Sequence, residues 1–440
     1  MARSRRKSGG GGSPNKKLPL KQSIPLGIQH VLAMFAGNIT VPIIVAGVFG
    51  STTAEKIFLI QMALFAAGVA TIIQTVGIGK VGSRLPIIQG TSFAFIPIML
   101  PFKAFGLGAI FTAAFIGGIF QIWIGKMLKP IRHMFPPLVT GIVVLMIGVS
   151  LLKVGFMYAG GGGWLLNNKP EFFGNGNHLL ISFTVLIVAL VAHQKGKGMV
   201  SSASILLGII AGYIVAMLLG MVNYGKIASA DWFAFPMPFQ YGIDFVWGAV
   251  ILMLFMSIVT TIETIGDISA TTMGGANREA TDKELSGGIM ADGLGTTFAS
   301  IFNAMPNTSY SQNAGLVAFT GVISRHVGTI AGIILILLGL FPKLGGIIAA
   351  MPDSVIGGAA IIMFGLIAGA GIKLISKSEM SQRNILILAL SLSFGIGLYA
   401  FPEFVAHIPD FGIKFKLLLT TGLIPAGLLA FVLNATLPKK

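Results

Sequence analysis

The sequence predicts an all-α polytopic membrane protein, and three observations carry that prediction. The chain of 440 residues is 54% hydrophobic and only 10% charged, where a soluble domain carries about 25% charged residues. Apolar runs of roughly 20 residues recur along its length, each long enough to cross a hydrocarbon core of about 30 Å. The basic residues gather in alternate connections between those runs, as the positive-inside rule requires.

Residues 1–22 contain seven Lys or Arg and the linker-like run Ser8–Ser13, with no apolar core of signal-peptide length. They are expected to form a disordered, basic cytoplasmic tail. Breaks at Gly, Pro and charge then divide the chain into segments at 26–49, 57–78, 86–100, 105–125, 136–155, 178–194 and 200–222. A second series follows at 245–272, 286–304, 313–323, 326–342, 354–372, 384–402 and 415–434. With the amino terminus inside, 22 of the 30 Lys and Arg fall on the cytoplasmic side. Topology therefore explains the net charge of +16 without a nucleic-acid partner, and both termini are expected in the cytoplasm.

Two segments are too short to span as ordinary helices. Segment three, 86–100, is bracketed by Pro86, Pro97 and Pro101, and segment ten, 313–323, would reach only about 16 Å as a helix. If the chain is two copies of a seven-segment unit, 26–222 and 245–434, both short segments are the third of their copy. An odd number of crossings inverts the second copy, and interrupted segments at matching positions of two halves point to a binding site near the midplane. The two also share a faint likeness, QGTSFAF (Gln89–Phe95) against QNAGLVAF (Gln312–Phe319).

Ionisable residues at membrane depth are the next signal. Glu263 lies close to the middle of segment eight and Asp267 one helical turn later. A charged carboxylate there costs about 2.5–3.5 kcal/mol on insertion scales, so it is expected to face a cavity or a partner. It either binds a polar solute or protons, or ties helices together as a neutral hydrogen-bonded carboxyl. His30, in the first third of segment one, reads as a proton relay or as a histidine bonded between helices. Asp292 caps a broken helix or joins a proton-carrying network, and Asn38 reads as interhelical glue.

Enzyme classes find no support. There is no Walker loop and no G-x-S-x-G, the six His show no zinc spacing, and the absence of Cys removes disulfides and thiolate metal sites. No cofactor is expected.

QNAGLVAFTGVISR (Gln312–Arg325) resembles the signature of the nucleobase-ascorbate transporter family. GIQHVLAM (Gly27–Met34), QGTSFAF (Gln89–Phe95), ETIGDISATT (Glu263–Thr272) and ADGL (Ala291–Leu294) agree with it, so the resemblance covers nearly the whole chain. It implies fourteen transmembrane segments as a 7+7 inverted repeat, with a short antiparallel strand in each of segments 3 and 10. Segments 1–4 and 8–11 would form a core domain, and segments 5–7 and 12–14 a gate domain. It also implies a homodimer in a bacterial inner membrane and proton-coupled import, with Na+ as the alternative coupling ion.

Carried over residue by residue, Glu263 would bind ring N–H groups of a nucleobase and Gln312 a ring carbonyl and N–H. Phe93 and Ser311 would present backbone N–H groups, with Ser92 and Asn313 beside them. Asp267, Asp292, His30, Thr320 and Arg325 would serve proton coupling or site support. The chemistry is self-consistent, because a carboxylate suits adjacent donors, a carboxamide offers one donor and one acceptor, and Phe93 or Phe95 could stack on a flat ring. Gln312 and Asp267 resemble the xanthine and urate members, so an oxidised purine is the expected substrate. A uracil or other nucleobase carrier is the alternative. An anion carrier of similar architecture is less favoured, since it would lack carboxylates facing its cargo.

Overall fold

The computed structural model describes residues 12–127, 136–408 and 415–438. Among them, eight helices are long and apolar enough to cross a membrane, or nine if Arg325–Gly339 and Pro342–Ala349, bent by 76° at their junction, count as one. The helix Asp282–Ile301 does not reach that hydropathy, being rich in Gly, Ser and Thr, yet most of it is buried in protein. Neighbouring helices rather than lipid surround it, so an apolar surface is not required.

Local chemistry sets the element ends. Thr52 and Glu55 form a reciprocal capping box that starts Thr53–Val76, and Thr281 with Glu284 does the same for Asp282–Ile301. Pro97 and Pro101 each sit in the first turn of a helical piece, where the missing N–H costs nothing. The break expected between segments three and four is consequently a run of 3₁₀ helix, Leu100–Phe105, leading into Gly106–Lys126. Ser311–Thr320 stops at Gly321, whose φ of 69° is left-handed.

The expected short strands are present. β1 (Gln89–Thr91) pairs antiparallel with β2 (Asn307–Ser309), placing Gln89 opposite Ser309 and Thr91 opposite Asn307. Asn38 holds this ribbon as the glue residue its sequence position suggested. Its Oδ1 accepts from Thr91 N at 2.8 Å, its carbonyl accepts from Thr91 Oγ1 at 2.8 Å, and its Nδ2 donates to Ala63 O at 3.3 Å. Tyr310 Oη donates to Thr91 O at 2.8 Å from the other side.

Helix Thr53–Val76 packs along Arg325–Gly339, Gly106–Lys126 along Asp282–Ile301, and Pro137–Ala159 along Asp353–Ile375. Small residues allow these approaches: a Cβ on Gly293 would stand 2.6 Å from Gly118 O, and one on Gly332 would stand 2.9 Å from Gly68 O. Association in lipid has no hydrophobic drive between helices, so close backbone packing supplies much of it.

One expectation is corrected. The residues assigned to a disordered tail include 12–19, which lie along the body, and Leu20–Gln22, which open the first helix; residues 1–11 fall outside the described part. Gly12 N donates to Gly275 O at 3.1 Å, Arg325 N donates to Pro14 O at 2.9 Å, and Ser324 Oγ donates to Lys16 O at 2.6 Å. The helix Arg325–Gly339 has no side-chain cap, so the tail's carbonyls satisfy donors that the helix start leaves open.

Candidate functional site

The antiparallel ribbon brings two helix starts together. Phe93 opens the 3₁₀ turn after β1 and Ser311 opens the helix after β2. The first N–H groups of a helix have no intrahelical acceptor and carry its positive dipole end. Beside them runs the 30-residue helix Trp247–Ala276, in contact with Ser311–Thr320.

Glu263 lies near the middle of that helix and is exposed. Exposed positions continue along both neighbours: Gly266 and Ala270 on its own helix, then Ser311, Gln312 and Gly315 on the other. A Cβ on Gly266 or Gly315 would meet nothing within 4 Å. This strip is a polar, open surface at the depth of a spanning helix, and its chemistry is a carboxylate, a carboxamide, a hydroxyl and two helix amino ends. Such a set can hold a planar solute that presents both donors and acceptors. Phe93 is half-buried at its margin and meets Phe364 of Asp353–Ile375 edge-on, with ring centres 5.6 Å apart.

The other acids are turned inward. Asp267 is 6% exposed and its Oδ2 accepts from Ser309 Oγ at 2.6 Å, tying the helix to β2. Asp292 is fully buried. Its Oδ1 accepts from Gln74 Nε2 at 3.2 Å and from Gln89 Nε2, and its Oδ2 is bonded to the Thr264 hydroxyl. Thr264 Oγ1 also lies 3.0 Å from Thr260 O. One hydroxyl proton serves one acceptor. Thr264 therefore donates to Asp292 when the acid is ionised, and accepts from it while donating to Thr260 O when the acid is protonated. Both protonation states find partners without rearranging the backbone.

His30 and Asn313 form a pair away from the carboxylates. Asn313 Nδ2 lies 2.9 Å from His30 Nδ1 and donates to His30 O at 2.9 Å. Donation to Nδ1 would leave the ring proton on Nε2. The pair bonds His30 of the first helix to the helix Ser311–Thr320.

Several of the other candidates bond to neighbouring backbone. Ser92 faces backbone: Ala94 N donates to its Oγ at 3.3 Å and its own N donates to Pro306 O. Thr320 Oγ1 donates to Leu316 O and accepts from Val322 N. Arg325 Nη1 donates to Val76 O at 3.3 Å, beyond the end of the strip. Phe95, considered for stacking, is 1% exposed and belongs to the packed interior, so Phe93 is the aromatic ring at the margin. Gln74, Gln89, Thr264 and Ser309 complete the acid network and were not named as site residues from the sequence. Gln89 and Thr264 lie inside the family-like stretches QGTSFAF and ETIGDISATT, whereas the only signal at Gln74 was a polar residue inside an apolar run.

Helices, ribbon and polar strip together define a polytopic permease. A family model described as a permease family, Xan_ur_permease, matches residues 21–404, and the chain belongs to this nucleobase-ascorbate transporter family. Xanthine permease XanP of Escherichia coli K12 is 34% identical, the match covering 96% of this chain and 93% of that protein. Uric acid permease PucJ of Bacillus subtilis 168 is 34% identical, with 93% and 91% covered. These are permeases, and this chain is a transporter, not an enzyme. Its fold is similar to the transmembrane domain of the cyanobacterial bicarbonate transporter BicA, at TM-score 0.58 and 14% identity over 96% of this chain and all of that one. It is also similar to murine Slc26a9 in the inward-facing state, at TM-score 0.63 and 12% identity over 92% and 68%.

Proposed function

We propose that this chain imports an oxidised purine, xanthine or urate, by proton symport across a bacterial inner membrane. The observation that carries the reading is that exposed Glu263, at mid-helix depth, and exposed Gln312 lie on two helices in contact, one of them starting at Ser311 beside the ribbon that leads to Phe93. Glu263 accepts from ring N–H groups, Gln312 pairs with a carbonyl and a neighbouring N–H, and Phe93 lies against the ring. Asp292, with partners for either protonation state, is the coupling group. Asp267 and the His30–Asn313 pair hold the helices that carry the site. The xanthine and uric acid permeases among the relatives support the substrate class.

The 7+7 plan, with core and gate domains, both termini inside and a homodimer, belongs to the same reading. Its support lies in which helices touch. Segments two and eleven pack together, as do four and nine. Exchanging the two halves converts one pair into the other, and leaves the pairing of five with twelve unchanged. Uptake of labelled xanthine and urate with and without a protonophore tests transport and coupling together. Accumulation that survives proton collapse would remove the symport, and competition by uracil rather than xanthine would favour the pyrimidine alternative.

A further inference from the structure

At the end of the molecule remote from the Gly12–Pro19 tail lies a cavity of about 270 Å³. Its walls include Trp164, His178, Asn223, Lys226, Met351 and Asp353. It is separate from the Glu263–Gln312 strip and shares no residue with it. Three charged groups meet here. Lys56 Nζ lies 3.6 Å from Asp353 Oδ1, so the one carboxylate is already engaged by one ammonium. The second ammonium, on Lys226, is half-buried and its bond among the described residues is a donation to Ala349 O at 3.3 Å. Burial, and after it the neighbouring Lys56, push the Lys226 amine below its ordinary range, with Asp353 acting the other way. The cluster is one negative charge short of balance, and a monoanion in the cavity would supply it.

The other walls suit a flat, polar anion. His178 Nδ1 is 3.3 Å from Ser354 Oγ, which leaves the second ring nitrogen for a ligand. Asn223 accepts from Gly225 N through Oδ1, which leaves its amide donors. Trp164 contributes an exposed indole, a surface on which a planar ring stacks. Urate is a planar monoanion at neutral pH. With the amino terminus inside, this end of the molecule faces outward. We propose that the cavity is an outer docking site for the anionic form of the purine, with Lys226 as its cation, from which substrate is passed to the Glu263–Gln312 strip. The proposal rests on the purine reading and adds to it a second, charge-selecting site.

The test is uptake by cells, for wild type, Lys226→Gln and Lys226→Arg, with membrane delivery checked for each. Loss of one charge contact near the surface is expected to raise the KM for urate uptake about fivefold in Lys226→Gln, with kcat unchanged. Lys226→Arg keeps the wild-type KM, and competition by neutral hypoxanthine is unaffected in either variant. An unchanged uptake KM in Lys226→Gln would overturn the docking site, as would equal shifts for urate and hypoxanthine. Wild-type protein that moves no urate overturns the purine reading itself, which keeps the two failures distinct.

Discussion

Three carboxylates within one helix and its neighbour have three different surroundings. Glu263 is open, Asp267 is bonded to Ser309, and Asp292 is enclosed by Gln74, Gln89 and Thr264. Glu263→Gln keeps the size but replaces an acceptor-only group with one that also donates. Losing a charge-assisted hydrogen bond is expected to lower uptake by roughly ten- to a hundredfold, with normal amounts in the membrane; proton-coupled accumulation at wild-type rates would show that Glu263 does not hold substrate. Gln312→Glu removes the amide donors and adds a charge opposite Glu263. Its purine affinity should fall by about tenfold in competition assays.

At the scale of elements, the tail and the helix starts make separate predictions. Removing residues 2–18 takes away the carbonyls of Pro14 and Lys16 from Arg325 N and Ser324 Oγ. A lost cap costs about 1 kcal/mol, so the purified protein should melt at a lower temperature while its substrate selectivity is kept. On the loop before Asp282–Ile301, Arg278 holds Glu284 through bonds of 2.8 and 2.5 Å. Burial pushes the Glu284 carboxyl up, but the bonds from Arg278 and Thr281 outweigh it and leave the group below its ordinary 4.5. A depressed carboxyl contributes stability that is complete above its unfolded value and is lost as pH falls through the folded one. Melting temperature against pH should therefore drop on the acid side of about 4.5, and Glu284→Gln should flatten that drop. At the crossing of Thr53–Val76 with Arg325–Gly339, Gly332→Leu would drive a side chain into Gly68 O and Ile72. Overpacking of about 1–3 kcal/mol is expected, read as a lower melting temperature.

For the molecule as a whole, the Lys56–Asp353 ion pair links Thr53–Val76 to Asp353–Ile375, helices assigned to different domains in the proposed plan. If transport requires those domains to slide past each other, the link must open. The chain has no Cys, so Lys56→Cys with Asp353→Cys introduces a pair that can be joined without background. Cross-linking with a short bis-maleimide should stop uptake, while either single variant treated alike keeps it. Transport by the cross-linked protein would show that this end of the molecule stays fixed.

Much of this was legible in the residues themselves. Apolar length and placed positive charge follow from the bilayer's thickness and its intolerance of charge, so a spanning helical protein could be read from composition and periodicity. The signature Gln312–Arg325 identified the family, and the mid-segment Glu263 drew attention to its helix, because polar groups in apolar runs are costly enough to need a reason. The sequence placed Asp267 on the face of Glu263 by helical spacing alone. Only the fold shows it turned to Ser309, and shows Gln74 meeting Asp292 across 218 positions of chain. His30 and Asn313, 283 positions apart, were separate candidates until the structure paired them. Basic charge, the linker-like run and the lack of an apolar core also assigned residues 12–19 to a loose tail, since composition cannot register backbone carbonyls that find donors on a distant helix start. Thus the sequence by itself determined the solvent this chain lives in, its helical character and its family, because those depend on local composition and motif. Tertiary structure alone decided which acid at membrane depth is open, which are bonded and which cations gather at the cavity beside Asp353, because burial and charge balance depend on neighbours distant in the chain.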